Sequence, residues 1–468
     1  MKVYSIKYIL IVAVLAIPFS SCDDFLDVNT DPNRVTSVTL EALLPTTIEA
    51  TSSAHYSISN TVSQITQHIG SYFGYPEFIT LNSSWSTIYL KALGNLDQLT
   101  QEAEAQSSPY YAGIGKVLQA LNLGLLTDSW EAVPFSEAFQ GSDNFTPVYD
   151  TQESNYNSIN QLLNDAINDL QATESVFVPA GDDLAYGGDI DKWLKLAYTL
   201  KARYAIHLTN KDQAKFAADA LTAIANGMES NDDDFQLTYN SVNKNPWHTN
   251  VALANNTGNL TVAQGAYLVD VMKNTTADGD PRLAALTDAG GIPFSDIIGL
   301  NSFDENAPAN NTDFSESTWH STETAPILMV TYAEAKFIEA EAALLSNDAD
   351  AAYTAYLEGI RASMEKLGVD GSAYLADPAV AVGADNLTLA LIMKEKYIAL
   401  FLNPETWVDM RRYDYDTAVY PGFEVPDPLG NIGGSIKRVR YPNDEFDRNG
   451  GEAMRNNKPA IEPMWRDQ

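Results

Sequence analysis

Apolar residues at helical spacing constrain this 468-residue chain more than any other feature. After Asp150, a good N-cap with Glu153 as its capping-box partner, Ile159, Leu162, Leu163, Ala166, Ile167 and Leu170 recur at steps of three and four. That is one face of an α-helix. A second stripe carries Trp193, Leu196, Ala197, Leu200 and Tyr204, and its opening resembles the first helix of a tetratricopeptide repeat. A third follows the capping box Thr331–Glu334 with Ala333, Phe337, Ala340 and Leu344. The segment "ADAAYTAYLEGIRASMEKLG" then predicts an antiparallel helix pair. Leu389, Met393, Tyr397, Leu400 and Phe401 mark a further helix, after which Asn403-Pro404-Glu405 restarts the chain as N-cap, helical proline and acidic first turn. Residues 38–128 supply four more helical segments.

Between these helices lie long stretches rich in Asn, Asp, Gly, Pro and Thr, at about 229–262, 274–326, 369–387 and 413–468. Loops of this length are usually functional or mobile. They offer only short strands, for example near "SIKRVRYP". The expected fold is therefore all-α, mainly helical: tetratricopeptide-like helix pairs forming a scaffold with a loop-rich second layer and a few short strands. No linker separates domains, so residues 37–468 are expected to form one unit.

The first residues read differently. Lys2 and Lys7 precede the apolar run "YILIVAVLAI", and Pro18, Phe19, Ser20 and Ser21 lead to Cys22, the one cysteine of the chain. A basic start, a ten-residue apolar run and small residues before a cut describe a signal peptide over residues 1–21. The run falls short of the roughly 20 residues that a membrane-spanning helix needs. Small residues before a cysteine resemble a lipobox, with Phe19 where Leu or Val is usual. Cys22 is thus the expected lipidation point, and residues 22–36 an acidic extended tether. Without a second cysteine no intrachain disulfide can form.

With 62 acidic and 28 basic residues the formal charge is −34. Such a surface repels phosphate backbones and anionic headgroups, which argues against nucleic acid and against membrane contact other than through the anchor. Catalytic constellations are missing from the sequence. There is no Gly-x-Ser-x-Gly, no His-Glu-x-x-His and no P-loop, and the five histidines lie far apart. His207 reads as a packed or rim histidine. Glu334, Glu339 and Glu341 alternate with alanines and read as a solvated face or as partners for Lys336 and Arg361. "NTTADGDPRL" has Asn274, Thr276, Asp278 and Gly279 at EF-hand-like offsets, but Ala285 stands where the loop needs a glutamate. No cofactor is expected, although the composition leaves room for a structural calcium ion.

Aromatic residues in loops are the binding candidates, because no helical stripe explains them. Tyr72, Phe73, Tyr75 and Phe78 crowd "GSYFGYPEF"; Trp247 and His248 sit in "NKNPWHTN"; Trp319 and His320 sit in "ESTWHSTE". Trp85, Trp193 and Trp407, on helices with periodic apolar neighbours, are assigned to packing.

Five ordered stretches resemble one family. "FLDVNTDPN", "DSWEAVPFSEAF", "YAEAKFIEAEAAL", "EKYIALFLNPETWVDMRRYDY" and "RVRYPNDEFDRN" are similar to segments of SusD/RagB-type nutrient-binding lipoproteins, with Asn403-Pro404 where that family often has Glu-Gly. The resemblance implies a non-enzymatic, lipid-anchored protein on the outer membrane surface of Bacteroidetes. It implies capture of oligosaccharides or peptides and their delivery to a SusC-like TonB-dependent transporter. Asp23 and Asp24, after the cysteine, resemble that phylum's surface-export signal. Two other readings stand beside it: a tetratricopeptide-like adaptor without a small ligand, and a secreted glycan hydrolase.

Overall fold

A computed structural model describes residues 38–73, 80–302, 304, 306–424 and 434–468. The signal peptide, Cys22 and its tether, Tyr75 and Phe78 lie outside the described residues.

Helices dominate. Among the described residues the α-helices of eight residues or more are, in chain order, α1 (Leu40–Ile65), α2 (Gly94–Ala105), α3 (Pro109–Trp130), α4 (Gln152–Leu170), α5 (Ile190–Ile206), α6 (Gln213–Ile224), α7 (Ala266–Lys273), α8 (Tyr332–Leu345), α9 (Ala349–Leu367), α10 (Leu389–Ala399) and α11 (Glu405–Arg412). Short strands β1 (Ile69–Ser71) and β3 (Val262–Gln264) pair antiparallel, as do β2 (Phe235–Leu237) and β4 (Ile327–Val330). Residues 40–468 pack as one compact unit.

The helix signals place the helices with small shifts. Thr151, one residue after Asp150, caps α4 by accepting from the Ser154 amide. Asp150 instead accepts the Phe135 and Ser136 amides at 2.8 Å, tying the α3–α4 connection together. Thr331 caps α8, and the Asn403 side chain accepts the Glu405 amide at 3.0 Å before α11. The stretch "SIKRVRYP" forms no strand; its polar groups are bonded to side chains and loops.

Small residues let the helix pairs approach. Ala202, Ala217, Ala220, Ala335 and Ala342 form a core shared by α5, α6 and α8. Within the α8–α9 hairpin, a Cβ added at Gly359 would lie 2.9 Å from the Phe337 ring.

The glutamates of α8 are not a solvated face. Glu334 and Glu341 are 1% and 0% exposed. Arg203 of α5 grips Glu334 through Nε and Nη2 at 2.6 and 2.5 Å, and Arg412 of α11 donates to Glu341 at 2.8 and 3.0 Å. Only Glu339 keeps the expected partner, Lys336, at 2.7 Å, while Arg361 pairs with Glu358 and Glu365 on its own helix. His207 is packed: its Nε2 lies 2.9 Å from Glu405. A guanidinium fork matches a carboxylate in two parallel bonds, which is why arginine can be buried this way.

The sequence stretches that stood apart meet in space. Arg438 bonds Glu131 at 2.5 Å, the Tyr441 hydroxyl donates to the Ala132 carbonyl at 2.6 Å, and Trp130 donates to the Arg440 carbonyl at 3.1 Å. Trp407 is buried, donates to the Tyr415 hydroxyl at 2.9 Å, and has the Arg411 guanidinium 3.6 Å above its ring. Trp85 and Trp193 are also buried, 6% and 0% exposed.

Candidate ligand-binding site

The solvent side of α1 forms one wall of an open cleft of about 670 Å³. Tyr56, Ser57, Asn60 and Thr61 face it at steps of one, three and four, while Ile58, Val62 and Ile65 on the other side are fully buried. The rest of the lining comes from Thr80, Leu81, Asn82, Ser83 and Asn250. Leu81 holds a left-handed backbone, φ 34 and ψ 40, at the start of the helical turn Asn82–Ser86. Such a conformation costs a non-glycine residue about 1–3 kcal/mol and tends to gather at functional sites.

Two π-helical turns adjoin the lining segments in the chain, Thr87–Leu93 following Asn82–Ser86 and His248–Ala252 containing Asn250. Such turns insert an extra residue into a helix and re-aim its side chains. The second presents Asn250, whose amide donates to the Tyr56 hydroxyl at 3.1 Å. Burial pushes the Tyr56 phenol above its usual pKa, with Asn250 acting in the opposite sense, so its own proton stays available to donate. None of the nine lining side chains is a carboxylate, imidazole, thiol or amine. Among the described residues the cleft offers a ring face and hydrogen bonds, and no general acid or base.

Of the loop aromatics, Phe73 is 78% exposed and Tyr72 is half-buried, its hydroxyl accepting from Asn310 at 3.1 Å. Trp247 and His248 do not face solvent as their loop position suggested; they are 2% and 3% exposed. The Asn245 carboxamide accepts the Trp247 amide at 2.6 Å and folds this segment inward. Trp247 then stacks on Phe314 at 5.8 Å and meets the edge of Tyr56 at 5.0 Å, so it supports the cleft from below. The His248 Nδ1–H donates to the Ser321 carbonyl at 3.2 Å. His320 is 8% exposed, between Trp319 and Phe401. Rings at Tyr56, Trp247, Phe314, Phe401, His320 and Trp319 thus form a continuous chain.

Half-buried Trp319 opens on a different cleft, about 460 Å³, with Thr322, Thr324 and Pro326. A third, about 640 Å³, is bordered by Gln67, Tyr267, Asp270, Asp304 and Glu424. Among the described residues no group of three or more His, Cys, Asp or Glu is set to hold a metal ion. Asp280, in the loop with EF-hand-like offsets, is bonded to the Arg282 guanidinium at 2.6 Å.

Loop position alone does not lead to the first cleft, because Tyr56 and Asn60 sit on a helix. The usable signal was charge. Residues 50–90 contain a single Asp, Glu, Lys or Arg, Glu77, in a chain that is 19% charged. From Ala50 to Ile65 α1 carries no charge although part of it faces solvent, and an uncharged ligand supplies a reason.

A family model described as SusD-like, starch-binding associating with outer membrane, matches residues 31–442. No curated protein matches the chain. Among solved structures, a SusD/RagB family protein from Bacteroides thetaiotaomicron superposes with a TM-score of 0.72 at 23% identity, covering 92% of this chain and 99% of that one. A chitin-binding SusD homologue from Flavobacterium johnsoniae gives 0.71 at 20% identity, covering 92% and 96%. Another structure, described as a chitin-binding protein, gives 0.70 at 22%, covering 92% and 100%.

Proposed function

The chain belongs to the SusD-like family, and from that premise we propose that it is a surface-exposed lipoprotein that captures oligosaccharide or peptide nutrients and delivers them to a SusC-like TonB-dependent transporter. Proteins of this family bind without catalysing, and the family description indicates association with the outer membrane. Among the described residues no helix is long and apolar enough to cross a membrane. On this reading the lipobox-like residues before Cys22 make it the attachment point, with Asp23 and Asp24 as the export address.

The observation that carries the reading is the Tyr56 cleft: a half-exposed ring supported from beneath by Trp247, with three asparagines and four hydroxyls around it. In sequence, Tyr75 and Phe78 fall between Phe73 and the cleft residue Thr80. Trp319 supplies a second aromatic contact at its own cleft, with His320 buried behind it. Two structurally similar proteins are described as chitin-binding, which favours a sugar ligand.

The test is affinity purification of the full-length protein from detergent-solubilised outer membranes, with identification of what comes along. A TonB-dependent barrel is expected in stoichiometric amount. Absence of any barrel, with the tagged protein intact, would overturn the transport role. The adaptor reading predicts a barrel together with no saccharide or peptide bound in a broad screen.

A further inference from the structure

We propose that the loop between α4 and α5 is a second membrane contact: Val176, Phe177 and Val178 enter the headgroup boundary of the leaflet that holds the acyl chains. This rests on the lipid anchor at Cys22 read above and goes beyond it, because the folded chain itself then touches the bilayer.

Three consecutive apolar side chains stand out of this loop, 65%, 40% and 55% exposed, with Leu184 at 46% further along it. Single exposed apolar residues are ordinary on a surface, whereas a run of them on a fixed backbone calls for a partner. The backbone is fixed. The Val176 amide donates to the Ser107 carbonyl at 3.1 Å and the Phe177 amide to the Ser108 hydroxyl at 3.1 Å. Asp182 accepts the Ala180 amide at 2.9 Å and the Tyr111 hydroxyl at 2.8 Å. Buried Asp183 accepts the Trp193 indole N–H at 2.7 Å and the amides of Ala185, Tyr186 and Gly188. The loop is held on both sides while its apolar tip is left in water.

Its place in the fold points to a bilayer. Asn122 of α3 donates to the Thr51 hydroxyl of α1 at 2.8 Å. One helical stretch earlier on each, burial, Asp182 and Glu41 of α1 raise the Tyr111 phenol of α3 above its usual pKa. The two helices therefore run parallel and begin at the same end. A Cβ added at Gly113 would lie 2.8 Å from Leu170, so α4 finishes at that end as well. The loop thus occupies the end of the bundle at which the chain coming from Cys22 enters α1. From Cys22 to Leu40 the chain spans at most about 65 Å, which keeps that end within reach of the membrane. The formal charge of −34 excludes attraction to anionic headgroups, and residues 175–181 carry no charge, so the contact is apolar. The exposed parts of these side chains are smaller than one acyl chain, which alone binds only reversibly, so Cys22 remains the attachment.

Cys22 is the one cysteine of the chain, so once it carries lipid an introduced thiol takes a spin label at a single position. The acylated protein is purified from outer membranes as Phe177→Cys or Val178→Cys, labelled, and placed on phosphatidylcholine vesicles, with Val242→Cys as the control. Val242 is 86% exposed. Its loop meets α1 at Ser52, whose hydroxyl lies 3.1 Å from that of Tyr239, about 18 Å along the helix from Leu40. Relaxation by oxygen, which concentrates in lipid, is compared with relaxation by a nickel chelate, which stays in water. The ratio at 177 and 178 is expected to be at least about threefold that at 242, since interfacial side chains enter about 5–10 Å into the boundary. Ratios that match across the three positions, with the protein bound to vesicles, overturn the contact and leave the anchor standing. Acylated protein that stays off the vesicles overturns the anchor, and the contact with it.

Discussion

Arg412 closes a two-pronged ion pair with Glu341 at 2.8 and 3.0 Å, seventy-one residues back in the chain and out of contact with water. The same guanidinium bonds Asp409 at 2.7 Å, and Asp409 in turn holds Lys396 at 2.8 Å. One cluster thereby fastens α8, α10 and α11. Removing a single partner leaves an unpaired buried charge, which costs about 3–5 kcal/mol. Glu341→Gln and Arg412→Met should each lower the unfolding free energy by that order, read from urea titrations. A loss below about 1 kcal/mol in both would show that the pair is not a fastening.

Acid should weaken the fold before its carboxylates titrate. Burial pushes the rings of His55, His68 and His320 down to about 3, and that of His207 well below its usual value. Unfolded, these rings take up protons near pH 6.5. Their contribution is therefore complete above about pH 6.5 and is lost as pH falls toward about 3. Burial raises the carboxyls of Asp97, Asp234, Asp270, Asp313 and Glu334, which act in the opposite sense, whereas Glu131, Glu395 and Asp409 are held low, despite burial, by their cationic neighbours and act with the histidines. Each fully neutral histidine adds up to about 1.4 kcal/mol per pH unit. The urea midpoint should hold between pH 8 and 7 and drop by pH 5; equal midpoints at pH 7.5 and 5 would refute the assignment.

The helix hairpin depends on close approach at Gly359. A methyl group there would press on the Phe337 ring at 2.9 Å. Gly359→Ala should destabilise by about 1–3 kcal/mol despite alanine's better helix propensity. A stabilised variant in thermal melts would mean that the hairpin has slack.

Tyr56→Ala should weaken ligand binding by about 1–3 kcal/mol, as the loss of a stacking ring does on other aromatic platforms. Tyr56→Phe keeps the ring and loses the hydroxyl that accepts from Asn250, so it should recover most of that affinity. Equal losses in the two variants would shift the recognition from the ring face to the hydroxyl. Calorimetry on both, beside Trp319→Ala, also shows whether the second aromatic cleft takes part.

Cys22→Ala should release the protein from the membrane fraction and abolish incorporation of labelled palmitate. Unchanged sedimentation with membranes would remove the lipid anchor.

Legibility from sequence followed the range of the forces involved. Helices that announce themselves through spacing and caps, such as α4, α8 and α11, were readable because those signals act within a few residues. Glu334 and Glu341 were not, because their partners lie 131 and 71 residues away and an Ala-Glu pattern looks the same on a solvated face. Trp247 looked exposed because it sits in a polar loop, and the inward turn depends on the Asn245 side chain. Tyr56 was hidden by its helix, and the charge-free stretch around it is visible only when charge is tracked along the chain.

The cleft residues face water, whereas the ion pairs and ring contacts that carry the fold lie behind them. Exchanging Asn60, Asn82 or Asn250 touches little that holds the chain together, since surface substitutions usually shift stability by no more than about 0.5 kcal/mol. On the reading proposed above, ligand choice can therefore change faster than architecture: substitutions on one side of α1 and at Asn82 or Asn250 would re-address the cleft while the frame behind it stays as it is.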